Sequence, residues 1–312
     1  MVQKRTKGCT APSATRLSVV GADPLAELRR REEVIAHEVN QLDDKELRRR
    51  PLLSANAKTG VSLDFPIGHT CRPTPVCASV CFAARSGAPM TWGKSLRKRL
   101  RNLRFFKEAT TEEAVDRLTR EFTRMRGTWL RRRKVKLNFL RINGSGDLFP
   151  ELIPVLNEFA RRHKEVTIWI VTRQFHLAAQ IVTLPNVFLQ LSVDVSTPAP
   201  LEQIARRLMQ RHPRAYLSFL RTTAHDDTRG AAIVFNEKRT EGLPYDRRTD
   251  CPVDAGRLEL GNIRGVGGTA CAKCRKCFTP KVLQRQREDG TDKAAVAMIA
   301  VIKVHLKVLG AA

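Results

Sequence analysis

The sequence predicts an α/β protein built on a parallel sheet. From Lys136 to about Phe235, short apolar runs alternate with helical stretches, the pattern of βαβ units. These runs are apolar on both faces, as strands covered by helices must be. The 312 residues are 42% hydrophobic and 28% charged, ordinary globular values at a length that builds a core without disulfide staples. Right-handed crossovers then leave an open doubly wound sheet or a full or partial barrel.

The elements follow in order. Pro24–Val39 and Asp43–Arg50 read as helices, with Leu25, Leu28, Val34, Ile35 and Val39 as a partial apolar stripe. Residues 51–92 are rich in Pro, Gly and Thr and are expected to hold few regular elements. Lys94–Glu108 is a helix whose apolar positions are Leu96, Leu100, Leu103 and Phe106. Thr110 and Glu113 form a capping box for the next helix, with Ala114, Val115, Leu118, Phe122 and Met125 facing inward. Strands are expected at Leu137–Ile142, Val166–Thr172, Val187–Val193, Ala215–Arg221 and Ala231–Phe235. The helices between them are Pro150–His163, Phe175–Thr183 and Leu201–His212. Ala294–Leu309 reads as an amphipathic helix, because Lys303, His305 and Lys307 interrupt its apolar run.

No apolar run approaches the length of a bilayer span, and Met1–Lys7 lacks the apolar stretch of a secretory signal. A cytoplasmic protein with no membrane partner is the expectation. The balance of 56 Lys+Arg against 31 Asp+Glu, a formal charge of +25, points to a polyanion, hence to nucleic acid or a nucleoprotein complex. The alternative is background affinity without a role. The oligomeric state is not legible.

Seven of the eight cysteines fall into two groups. Cys71, Cys77 and Cys81 form C-x5-C-x3-C; Cys271, Cys274 and Cys277 form C-x2-C-x2-C with Cys251 upstream; Cys9 stands alone. In a reducing compartment such clusters are metal ligands more often than disulfides. The C-x2-C-x2-C run is similar to the ligand runs of ferredoxins, whereas zinc ribbons pair two separated knuckles. Free thiols are the alternative.

In a parallel sheet, chemistry collects where strand C-termini meet their loops. Here those points carry Asn143-Gly144-Ser145-Gly146-Asp147, then Thr172-Arg173-Gln174, then Ser192-Val193-Asp194. Gly144 and Gly146 would let backbone amides approach a small ligand. Asp147 could bind an amine or cap the helix at Pro150. Each taken alone is turn chemistry; three on one rim point to a ligand.

The stretches Lys94–Lys107 and Arg124–Lys136 each carry seven bases and no acid. Arg97, Lys98, Arg101, Arg104, Arg131, Arg132 and Arg133 are the expected phosphate contacts, with a solvated face as the alternative. Aromatic residues are 6% of the chain, which argues against a base-stacking platform.

The order of these features resembles the radical S-adenosylmethionine (radical SAM) superfamily, and more closely the phage and mobile-element gene product 88 family. The matching pieces are Leu52–Gly60, Thr70–Gly87 with Phe82 after Cys81, Gly144–Phe149, and Cys251-Pro252 followed by Cys271–Phe278, within about residues 51–280. The superfamily spacing C-x3-C-x2-C is wider here, and His69 is a further candidate ligand.

The resemblance implies a partial TIM-like (β/α) barrel with a [4Fe–4S] cluster on Cys71, Cys77 and Cys81. S-adenosylmethionine would bind along Gly144, Ser145, Gly146 and Asp147, with Thr172, Ser192 and Asp194 on the same rim, and would supply a radical that abstracts hydrogen from a substrate. Cys251, Cys271, Cys274 and Cys277 would hold a second cluster, or zinc, brought together by a loop with Gly261, Gly265, Gly267 and Gly268. One of these four could instead complete the first site. The expected organisation is a basic helical extension over 1–50, the barrel over 51–245 with its cluster loop at 70–87, and a cysteine-rich segment over 246–312. Three functions remain: a radical SAM enzyme acting on nucleic acid or a nucleotide, a non-catalytic iron–sulfur regulator, and a zinc-stabilised DNA-binding protein.

Overall fold

The computed structural model describes residues 24–56, 58–81, 84, 89–133, 136–237, 243, 245–254 and 269–284. Cys9, Phe82, the glycines from Gly261 to Gly268 and the expected helix Ala294–Leu309 lie outside them, as does the side chain of Arg133.

Seven strands form one sheet in sequential order: β1 (Leu53–Asn56), β2 (Gly60–Leu63), β3 (Phe139–Ile142), β4 (Thr167–Thr172), β5 (Val187–Val193), β6 (Ala215–Arg221) and β7 (Ile233–Asn236). β1 and β2 pair antiparallel, and every later pair is parallel. The sheet is not closed: β1 and β7 are its edges, and a parallel bridge between Val234 and Asp250 extends the β7 side. The α/β class and the strands from β3 onward are as expected, while a barrel in the strict sense is not formed.

The first cysteine region is more regular than expected. The β1–β2 hairpin lies in a segment read as irregular, its turn closed by Gly60 at φ +88°, a left-handed conformation that favours glycine. Two short helices follow, α3 (Ile67–Thr70) and α4 (Pro75–Ser79), on either side of Cys71. Thr74 caps α4 by accepting the Cys77 amide at 3.3 Å, with Pro75 in its first turn.

Sequential parallel strands with same-handed crossovers place their helices on one face. Leu140, Ile142, Ile168, Ile170, Leu189, Leu191, Val193, Leu217 and Phe219 are all buried in the main core. α5 (Pro89–Glu108), α6 (Thr111–Arg133), α7 (Leu152–Arg162), α8 (Phe175–Ala178) and α9 (Ala199–Arg211) complete the covering layer. Thr110 accepts the Glu113 amide at 3.2 Å, as its capping role requires.

The N-terminal helices α1 (Pro24–Asn40) and α2 (Asp44–Arg49) are packed in, not appended. Leu25 and Leu28 of α1 share a second small core with Ile67, Ala84 and Leu96, against which Cys71, Ala78 and Cys81 pack. Of the expected stripe, Leu25, Leu28, Ile35 and Val39 face inward and Val34 does not, at 58% exposed; Glu32, fully buried, joins the inner face and accepts the amides of Ile67 at 2.9 Å and Gly68 at 2.7 Å. α1 therefore holds the start of the cysteine loop.

Candidate functional site: a cavity lined by both cysteine groups

The face of the sheet opposite the covering helices carries polar side chains among apolar ones. Side chains alternate along a strand, so Arg141 and Asn143, Trp169 and Val171, and Gln190 and Ser192 share that face. They line a cavity of about 1400 Å³ together with all seven described cysteines. Ten Lys and Arg side chains and four Asp and Glu side chains also line it.

The first cysteine group sits over the C-terminal ends of β3, β4 and β5. Asp194, fully buried, accepts the Thr74 hydroxyl at 2.5 Å, the Arg173 guanidinium at 2.9 Å, and the Ser196 amide and hydroxyl at 2.9 and 2.7 Å. The Val76 amide donates to Ser196 Oγ at 3.1 Å, so α4 and its Cys77 are fastened to the end of β5. Asp147 accepts the Thr172 hydroxyl at 2.5 Å and the amides of Leu148 at 2.8 Å and Arg173 at 3.0 Å. Its own amide donates to Thr70 Oγ1 at 2.9 Å, one residue before Cys71. Burial pushes the Asp147 carboxyl up to about 6.

The expected rim residues thus come together, and they join the cysteine loop to the sheet. Gly144 and Gly146 have a packing role at this rim. A Cβ on Gly144 would lie 2.2 Å from Asp64 Oδ1; on Gly146, at φ +78°, it would lie 2.6 Å from the Phe65 carbonyl oxygen. The Ser145 amide donates to Asp64 Oδ1 at 3.2 Å. The close approach inferred at these glycines is therefore made by the chain itself. Asp147 does not cap the helix after Pro150; it bonds across to β4.

The C-terminal group lies at the opposite end of the strands. α10 (Ala270–Cys274) begins beside the β1–β2 turn, where the Cys271 amide donates to the Lys58 carbonyl at 2.8 Å. Arg275 reaches Asn138, just before β3, at 3.4 Å. Phe278 stacks on Phe139 with ring centroids 4.5 Å apart, and the Tyr216 hydroxyl donates to the Cys277 carbonyl at 2.6 Å. The Cys251 amide donates to the Val234 carbonyl at 2.8 Å, which sets it beside β7.

Burial raises the thiols of Cys71, Cys77 and Cys277, and pushes Cys251 up to about 12 and Cys271 up to about 11. Cys77 and Cys81 stand near enough to Cys71 to add to its shift, and Cys251, Cys271 and Cys274 do the same to Cys277. Soft thiols gathered in two sets, at a wall poor in carboxylates, suit iron–sulfur clusters or zinc. Among the described residues, no three His, Cys, Asp or Glu side chains converge tightly enough to hold a metal ion.

The basic residues separate by role. Arg104 donates to Glu108 and to the carbonyls of Val39 and Leu42, each at 2.8 Å, so it fastens α1 to α5. Arg97 pairs with Glu38 on α1. Lys98 donates to the Leu53 carbonyl and lines the cavity. Arg101 is half-buried beside Arg50, Arg97 and Arg117; burial and then these like charges lower its pKa. Arg131 and Arg132 are exposed at the end of α6.

Several residues at the cavity were not singled out from sequence. Arg141 is one whose signal was present, a lone cation inside Phe139-Leu140-Arg141-Ile142. Glu32 and Thr74 carried no local signal for their long-range partners.

No helix among the described residues is long and apolar enough to cross a membrane. No curated protein and no solved structure matches the chain. The family model of gene product 88 matches residues 35–280, from within α1 through the last cysteine, so the hairpin, the cysteine loop, the sheet and the C-terminal group all fall inside it. This chain belongs to the gene product 88 family.

Proposed function

We propose that this chain is an iron–sulfur protein built on a partial, open barrel, in which Cys71, Cys77 and Cys81 hold a [4Fe–4S] cluster at the upper end of the cavity. One observation carries the reading: two cysteine groups far apart in sequence line a single cavity, one at each end of the strands. Cys251, Cys271, Cys274 and Cys277 supply four thiols at the lower end, enough to saturate a second cluster or a zinc ion. A bound [4Fe–4S] cluster supplies one-electron chemistry and, with three protein thiolates, an iron with an open position. The chain's own part is to hold the loop: Glu32 fixes its start, Thr70 meets Asp147, and Thr74 meets Asp194.

The partner we assign is nucleic acid, on the charge of +25 and the exposed Arg131 and Arg132. A catalytic radical SAM enzyme is the second reading, favoured by Ser192 and Asn143 lining the cavity near the first group. The cytoplasm is the compartment that suits reduced thiols.

Anaerobic purification should give a brown protein with iron and acid-labile sulfide, and Cys77→Ala should remove one cluster's worth of both. A colourless protein with stoichiometric zinc and no sulfide overturns the cluster. Calorimetric titration of the loaded protein with S-adenosylmethionine separates enzyme from regulator. For nucleic acid, Arg131→Glu with Arg132→Glu should flatten the salt dependence of binding by about one unit per lost contact.

A further inference from the structure

Among the described residues, two buried polar atoms beside the cavity have no hydrogen-bond partner: Nε of Arg141 in β3 and Oδ1 of Asn143, one residue past its end. Buried polar groups are nearly always paired, so two orphans beside one cavity call for a ligand. Asn143 is 4% exposed, and its backbone sits at φ +60°, a conformation uncommon outside glycine. Its Nδ2 donates to the Val171 carbonyl at 3.0 Å, which fixes the amide so that Oδ1 is the acceptor left over. The Arg141 guanidinium lies over the Trp169 ring, 4.8 Å from its centroid, an arrangement that holds the cation against the cavity wall with its Nε unpaired.

The pair specifies the ligand. Arg141 requires an anion, and the excess of cations around the cavity wall favours a phosphate of high charge. Asn143 Oδ1 requires an N–H or O–H donor. Two residues along a strand rise about 6.6 Å, a span that a phosphate and a ribose hydroxyl of one nucleotide can bridge. We propose that the cavity binds a ribonucleoside phosphate between the two cysteine groups, its phosphate on Arg141 and a sugar hydroxyl on Asn143. This goes beyond the cluster reading and rests on other atoms, although Arg141 stands near enough to Cys271 and Cys277 to act on their thiols.

The test is calorimetric titration of the full chain with AMP, CMP, GMP and UMP, with adenosine and inorganic phosphate as the halves of the ligand. At least one nucleotide should bind, and both halves should bind at least tenfold more weakly. Arg141→Gln should weaken nucleotide binding tenfold or more by removing a charge-assisted contact. Asn143→Gly, which keeps the positive φ accessible, should weaken the nucleotide but leave inorganic phosphate unchanged. Circular dichroism on the same samples keeps a folding defect apart from a binding defect.

The proposal is overturned if no nucleotide binds the folded wild type, or if Arg141→Gln binds as tightly as wild type. Iron and sulfide measured alongside keep the two readings distinct. A brown protein that ignores nucleotides defeats this inference alone, and a colourless one that binds them defeats only the cluster.

Discussion

Replacing Asp194 by Asn should unfasten the first cysteine loop. In the native chain this fully buried carboxylate faces the Arg173 guanidinium at 2.9 Å, and the Arg173 side chain is only 12% exposed. Removing one partner of such a pair leaves a buried charge without its counterion, at a cost of about 3–5 kcal/mol. The lower end applies, because the Asp147 carboxylate also acts on Arg173. At about 2–4 °C per kcal/mol, the melting temperature should fall by about 6–12 °C. Asparagine keeps one acceptor for Thr74 or Ser196, so the loop should loosen without the sheet unfolding. Reaction of Cys77 with a thiol reagent in metal-free protein should accelerate, because α4 is held through Thr74 and Val76. Combining the change with Arg173→Met should cost less than the sum of the single variants. Thermal unfolding followed by far-UV circular dichroism measures all three. A loss below about 1 kcal/mol in Asp194→Asn, or strict additivity in the double variant, would refute the buried-pair reasoning.

Other consequences can be measured on the same footing. Gly146→Ala should cost more than about 1 kcal/mol in urea unfolding, because its Cβ would meet the Phe65 backbone from a left-handed conformation; a neutral outcome means the turn can move. Burial raises the Asp147 carboxyl to about 6, above the usual range of an aspartate, so the native state holds the proton more tightly. Its contribution is present below about pH 4 and lost as pH rises through 6, on the order of 3 kcal/mol. The stability of wild type relative to Asp147→Asn should fall across that window and level off above it; a flat difference shows that the carboxyl titrates normally. Tyr216→Phe removes the hydroxyl that holds the Cys277 carbonyl and should cost about 1–2 kcal/mol; if both groups hold metal as proposed, it should ease loss from the C-terminal group but not from the first. Equal loss from both groups would contradict their placement at opposite ends of the cavity.

What could be read from the letters differs between the parts of this fold for physical reasons. β3 to β6 announce themselves because both faces are buried over much of their length and each is followed by helix or turn signals. β1 and β2 are four residues each, interrupted by Ser and Asn, too short for a period to emerge. α4 was readable in principle, since Thr74 followed by Pro75 is a helix start, but it lies in a stretch dominated by loop residues. The contacts that build the site, Thr74 with Asp194 or Glu32 with Ile67, join residues far apart in sequence and leave no local trace.

The meeting of the two cysteine groups follows from strand direction. β2 to β7 run parallel, so everything that follows a strand gathers at one end and everything that precedes a strand gathers at the other. The first group comes after β2 and meets Asp147, Arg173 and Asp194, which come after β3, β4 and β5. The segment from Cys271 to Phe278 instead meets Lys58, Asn138 and Phe139, which lie before or at the start of β2 and β3. Phe139 at the start of β3 and Asn143 just past its end are four steps apart, a rise of about 13 Å between the two ends. Arg141 stands midway along that rise with its Nε unpaired, near enough to Cys271 and Cys277 to act on their thiols. Strand direction thus fixes the first group at the upper end, while the C-terminal group, which follows β7, is held at the lower end by its own contacts with Lys58, Asn138 and Phe139, with a cation between the two.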